Sequence, residues 1–362
     1  MRVNAVLHIG MEKCGSSALQ TALSHNPTVD SAIYGTLQYC QLNKKGSIAP
    51  VYKYGHLLPN ISHGYFVSSP AENFSLDDRR LQESRATIER LSRRGGVILS
   101  HENWARTLPF FEQAGLLETL GLNAHVVAYV RPPVEWINSA WWQWGAWAGR
   151  EFNDWLHEMI AATQWSRILS PWQHTRCVAS LSVRLSGSDV IADFCELVAA
   201  PALQPMRRNI GLPGEILRFM QNHPQFRNGP HDATNDHLFA NRLRAFQGSP
   251  SPWVLNREQM QVIVDETRAS NLALLSLLDQ ASKAAMHDDP RWWKVEAFDN
   301  RRVEDPNPVS LNAGDLDKLA VAALQAVVEM HNEAREPAAT MQGQATTRGQ
   351  WWRKPWRFLS RH

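Results

Sequence analysis

Leu7-His8-Ile9-Gly10-Met11-Glu12-Lys13-Cys14-Gly15-Ser16-Ser17-Ala18-Leu19-Gln20-Thr21 reads as a strand end, a glycine-bounded loop and the first turns of a helix. The apolar segment 3–9 enters the loop, and Ala18, Leu19, Ala22 and Leu23 share one face of the helix that leaves it. That geometry aims backbone N–H groups and the positive end of a helix dipole at a phosphate. Working outward, strand signals at 97–100, 124–130 and 180–185 alternate with helix signals at 77–94 and 191–197. Gly95-Gly96 reads as the stop of the first of those helices. The alternation predicts a three-layer α/β/α fold with a central parallel sheet. From about 257 the pattern turns helical, at 258–283 and 315–332. Residues 27–75 lack a period and read as an active-site insertion or lid; 337–350 reads as a flexible linker.

The position of the lysine sets the chemistry. A loop for nucleoside triphosphates places lysine directly after the second glycine, followed by a hydroxyl that holds magnesium. Here Ser16 and Ser17 follow Gly15, and Lys13 lies inside the loop. The anion cradle is kept while the metal-dependent triphosphate arrangement is not. No residue pattern offers a metal site, and Cys14, Cys40, Cys177 and Cys195 have neither zinc nor C-x-x-C spacing.

The displaced lysine followed by Cys14-Gly15-Ser16-Ser17 resembles the 5′-phosphosulfate loop of sulfotransferases that use 3′-phosphoadenosine 5′-phosphosulfate (PAPS). A second segment is similar to the same family: the apolar run 124–130 ends at Arg131-Pro132-Pro133, with Ser139 eight residues beyond Arg131. The resemblance covers roughly residues 1–225 and implies a P-loop-like sulfotransferase fold. It implies that Lys13, the N–H groups of residues 14–17 and the Ser16 and Ser17 hydroxyls hold the 5′ end of the nucleotide. It also implies that Arg131 and Ser139 hold the 3′-phosphate. Met206-Arg207-Arg208-Asn209-Ile210-Gly211 resembles a basic loop of bacterial members, in which Arg208 closes over the nucleotide; solvated surface arginines are the plain alternative.

Sulfuryl transfer needs a cation at the departing phosphate and a base for the acceptor hydroxyl. Lys13 is the cation. Three residues compete as base. Glu102 follows the strand signal 97–100 and resembles a Ser-x-Glu pattern of bacterial members; a helix-capping carboxylate is the structural alternative. His56 matches a histidine in an early loop of related sequences, or is an ordinary loop histidine. Glu12 lies within the loop itself. Cys14 reads as loop packing rather than a nucleophile. A nucleotide kinase and a non-catalytic nucleotide-binding protein are the competing functional readings.

With 44% apolar and 20% charged residues the chain has the composition of a globular protein. No run reaches the ~18–20 apolar residues needed to span a bilayer. The first residues read as the first core strand rather than a leader, so the expected location is cytoplasmic. Of fifteen tryptophans, eight fall between Trp136 and Trp172. Trp141, Trp144 and Trp147 recur every third residue and read as one helical stripe, either core or a platform for sugar rings. Residues 341–362 carry Arg348, Arg353, Lys354, Arg357 and Arg361 and no acid, a charge of +5 against +2 for the whole chain. Interleaved with Trp351, Trp352, Trp356 and Phe358, these suit peripheral contact with an anionic membrane face. Nucleic acid is a poor fit, because the rest of the chain sums to −3. The domain expectation is a sulfotransferase unit at 1–335 with a linker and basic aromatic tail at 336–362. The expected acceptor is a hydroxyl on a carbohydrate or glycolipid.

Overall fold

The structure, a computed structural model, describes residues 2–61, 63–187, 189–203, 212–232, 234–243, 246 and 250–349. Among them seven strands form an α/β sheet: β1 (Ala5–His8), β2 (Thr28–Ser31), β3 (Gly35–Leu42), β4 (Ile48–Pro50), β5 (Gly95–Ser100), β6 (Ala124–Val130) and β7 (Val178–Leu185). Their order is β2-β3-β5-β1-β6-β7, with β4 also on β3. β3, β5, β1, β6 and β7 run parallel; β2 and β4 pair antiparallel with β3. Every residue of β1, β5 and β6 is buried, which explains why these strands read as continuous apolar runs rather than alternations.

β1 lies between β5 and β6, with His8 opposite Ser100 on one side and Val127 on the other. The segments leaving these three strands therefore emerge side by side. This is the crevice at the carboxyl ends of parallel strands where the strand order switches direction, the usual ligand position in open α/β sheets. The helix Ser16–His25 leaves that crevice and packs Ala22 against Ile191 and Cys195 of the helix Val190–Leu197. The helix Asp78–Ser92 begins where the sequence suggests, because the Asp77 carboxylate accepts the Arg80 N–H and caps its first turn. No helix among the described residues is long and apolar enough to cross a membrane.

Four expectations change. Residues 27–75 are not wholly an insertion: β2 and β3 extend the central sheet and bury Val29, Leu37, Tyr39 and Leu42. Gly95 and Gly96 open β5 instead of merely ending a helix. The helical region 258–283 is two helices, Arg257–Leu274 and Gln280–Asp288. Asp279 separates them by accepting the Ser282 N–H as a new N-cap. Finally, the backbone is helical from Ala313 to Gly349 across the expected linker, whose alanines and glutamines are good helix formers.

Candidate functional site

The glycine-bounded loop is held in place by backbone pairing beyond the strand ends. Ile9 N–H donates to Val127 O at 3.0 Å, Met11 N–H to Tyr129 O at 3.1 Å, and Ala105 N–H to Ile9 O at 2.8 Å. Gly10 has φ +106°, and a Cβ there would stand 1.9 Å from the carbonyl oxygen of Glu102. Only glycine lets the segment after β5 close onto the loop so tightly. Gly15, at φ +96°, caps the helix Ser16–His25 in the left-handed conformation, against the Val190 side chain. The Ala18 N–H donates back to Gly15 O at 3.1 Å, and the N–H groups before it are those that a helix start leaves without intrahelical acceptors.

Lys13 extends from this loop, and its Nζ donates to Gln143 Oε1 at 3.2 Å. Burial holds its ammonium below the usual lysine range; the Glu102 carboxylate opposes this and the Arg131 guanidinium adds to it. Glu102 is partly buried. Burial, and next the Glu12 carboxylate, raise its pKa from the usual 4.5 to about 7, while Lys13 pulls the other way. A carboxyl poised near neutrality beside a cation can hold or release a proton at working pH. Glu12 has a partner already: its Oε2 accepts Arg106 Nε at 3.3 Å. Of the three candidate bases, Glu102 is the one whose charge acts on Lys13.

Arg131 closes the other end. Its Nη1 donates to the carbonyl oxygen of Lys13 at 3.2 Å and its Nη2 to Glu135 Oε2 at 3.3 Å. Glu135 Oε1 accepts Arg291 Nη1 at 3.2 Å, so one carboxylate bridges two guanidiniums. Glu135, Ser139 and Gln143 recur every four residues along the helix Pro133–Gln143 and form its partly exposed face. Ser139 thus stands one turn from the partner of Arg131 and one turn from the partner of Lys13.

The remaining expected residues divide. Ser17 is partly exposed and accepts a 3.4 Å hydrogen bond from the Tyr65 hydroxyl, whereas Ser16 is buried and donates to Met11 O at 3.2 Å, inside the loop. Cys14 is fully buried and its thiol is pushed up to about 12 by burial, which keeps it protonated and inert. His56 is exposed on the short 3₁₀ turn Gly55–Asn60, and no hydrogen bond or ion pair joins it to Lys13, Glu102 or Arg131 among the described residues. Arg208 lies outside the described residues.

Several site residues escape sequence reasoning. Tyr65 comes from the segment after β4, meets Ser17 and feels the charge of Glu102. Arg227 is almost fully buried, donates to Gln143 O at 2.6 Å, pairs with Asp236 and lies over the Trp147 ring at 4.7 Å. Neither residue sits in a local pattern that announces it.

The tryptophans form no helical stripe, because the helix Pro133–Gln143 ends before Trp144. Trp141 is buried edge-on to Phe152 and Trp155, and Trp144 packs on Trp136. Their neighbours do something more specific. Trp136 Nε1 donates to Glu12 O at 2.7 Å, Trp165 Nε1 to Arg131 O at 3.0 Å, and Trp172 Nε1 to Ala105 O at 3.1 Å. Three fully buried indoles therefore fix the backbone segments that follow β1, β6 and β5. Arg106, which holds Glu12, lies over the Trp136 and Trp165 rings at 5.5 and 5.9 Å.

No family model and no curated protein matches this chain in sequence. Among solved structures, the 54 kDa signal recognition particle protein of Aeropyrum pernix K1 in complex with GDP is 12% identical, with 94% of this chain and 78% of that chain covered and a TM-score of 0.23. A likeness of that size carries no argument about function.

Proposed function

We propose that this protein is a sulfotransferase that moves a sulfuryl group from PAPS to a hydroxyl, releasing adenosine 3′,5′-bisphosphate. The observation that supports the reading is that the Lys13 loop, Glu102 and Arg131 follow three adjacent parallel strands, with the Arg131 guanidinium donating to Lys13 O at 3.2 Å and the Glu102 carbonyl packed against Gly10. The spacing resembles that of the PAPS-dependent enzymes, and these groups lie at the carboxyl ends of adjacent parallel strands.

In this reading the N–H groups of residues 14–17 and the Ser17 hydroxyl hold the 5′-phosphate. Lys13 turns from Gln143 toward the bridging oxygen, where negative charge grows as the S–O bond breaks. Glu102, ionised, takes the proton of the acceptor hydroxyl as that oxygen forms the new bond to sulfur. Arg131 and Ser139 hold the 3′-phosphate, with the charge of Arg131 partly offset by Glu135. The donor set fits a doubly phosphorylated nucleoside at both ends. Because the indoles near the cleft are buried, the expectation of a carbohydrate or glycolipid acceptor rests on the resemblance alone.

Titration calorimetry with adenosine 3′,5′-bisphosphate against ATP plus magnesium tests the class. Preference for the bisphosphate supports the reading, whereas preference for ATP with magnesium supports a kinase and overturns it.

A further inference from the structure

Glu12 and Lys13 are neighbours in the loop and carry opposite charges, yet they do not pair. Lys13 has φ +60°, a left-handed conformation that few residues other than glycine adopt, and its Nζ donates to the neutral Gln143 amide. Among the described residues its ammonium has no ion-pair partner. The Glu12 carboxylate is taken by Arg106, at 3.3 Å from Oε2 to Nε, and only 12% of the Glu12 side chain is exposed.

Arg106 ends the 3₁₀ turn Trp104–Arg106 that follows β5, and Ala105 just before it donates to Ile9 O at 2.8 Å. Its Nη1 donates to Ala162 O at 2.9 Å, and its guanidinium lies over the Trp136 and Trp165 rings. The same two indoles donate to Glu12 O and Arg131 O. The cation that takes Glu12 and the backbone that carries Lys13 thus share their supports. Attraction between neighbouring opposite charges grows as water is excluded. Without Arg106, an anion approaching Lys13 would have to displace the adjacent carboxylate. The other charges that act on Lys13 are Glu102 and Asp236 against Arg131 and Arg227, two of each sign. With Glu12 neutralised by Arg106, the surplus at this point is the one positive charge of Lys13.

We propose that Arg106 is a positioning residue: it draws the Glu12 carboxylate away from Lys13 and leaves the ammonium unpaired for an incoming anion. This rests on the reading of Lys13 as the cation of the nucleotide site.

Competitive labelling of the nucleotide-free full chain with acetic anhydride, read at Lys13 by mass spectrometry, tests it. In Arg106→Gln the released carboxylate pairs with Lys13, and labelling at pH 8 should slow about tenfold. Calorimetry should show adenosine 3′,5′-bisphosphate bound about tenfold more weakly. Adding Glu12→Gln to Arg106→Gln should restore both, which a second substitution does not do for an arginine that merely supports the fold. Circular dichroism confirms that each variant is folded, and Arg106→Met serves where Arg106→Gln is not. The proposal falls if Lys13 labels alike in the parent and the single variant, or if the added Glu12→Gln restores nothing. A parent that ignores the bisphosphate removes the nucleotide reading alone, because the labelling needs no ligand.

Discussion

The Arg131 guanidinium donates to the carbonyl oxygen of Lys13, 118 positions earlier in the chain, at 3.2 Å. The residue proposed for one phosphate thus buttresses the backbone of the loop proposed for the other. Arg131→Ala should weaken adenosine 3′,5′-bisphosphate about 10–100-fold, as expected for a charge-assisted hydrogen bond. AMP, which lacks the 3′-phosphate, should lose much less. Calorimetry with both nucleotides checks this, and equal losses would remove the 3′-phosphate assignment.

The proposed main task of Lys13 is charge stabilisation during transfer. Lys13→Ala should lower turnover about 10²–10³-fold while bisphosphate affinity falls modestly. Turnover at saturating PAPS measures the first effect and calorimetry the second.

Glu102 gives a pH signature in both activity and stability. Turnover should rise with pH through about 7 as the carboxyl ionises. Its folded pKa lies above the unfolded value, so between 4.5 and about 7 the native state holds more proton and stability falls as pH rises. Glu102→Gln removes that penalty. The variant should melt above the parent at pH 8, and the difference should shrink as pH drops through 7 toward 4.5. A pH-independent difference in melting temperature would remove the raised pKa, and unchanged turnover in the variant would remove Glu102 as base.

Glu135 bridges Arg131 and Arg291 and competes with any phosphate for both. Glu135→Gln should therefore tighten adenosine 3′,5′-bisphosphate a few-fold, and Arg291→Ala should weaken it. Titration of both variants decides, and weaker binding in Glu135→Gln would show that the carboxylate organises the arginines rather than competing.

Trp136 ties Glu12 O to the core by an indole hydrogen bond. Trp136→Phe keeps most of the apolar volume but leaves that carbonyl unpaired, at a cost of about 1–3 kcal/mol. Denaturant melts should show this loss together with a fall in turnover, because Glu12 precedes Lys13.

What was legible in the sequence was local. The strand over 124–130 and its end at Arg131 were readable because a strand buried on both faces gives an unbroken apolar run. The Gly10 to Gly15 loop was readable because glycine spacing and the following helix face are short-range signals. β2 and β3 were not. β2 has only four residues with alternate burial, and β3 buries both Tyr39 and Cys40, which breaks the period of two. Glu102 was a candidate because it follows an apolar strand signal and resembles a Ser-x-Glu pattern; that this strand lies beside β1 came only with the fold. Tyr65, Gln143, Arg227 and Arg291 meet Ser17, Lys13, the Gln143 carbonyl and Glu135 respectively only through tertiary packing, which leaves no trace in spacing. His56 sits in an early loop with no site partner, since its 3₁₀ turn faces solvent.

The Glu102 carbonyl oxygen occupies the space that any side chain at position 10 would need. The proposed cradle and the proposed proton acceptor therefore form one mechanical unit, and a substitution that shifts either drags the other with it. Around Ser17 the contact is looser, because the Tyr65 side chain rather than backbone meets it. Between Gly10 and Glu102 there is no slack to exploit.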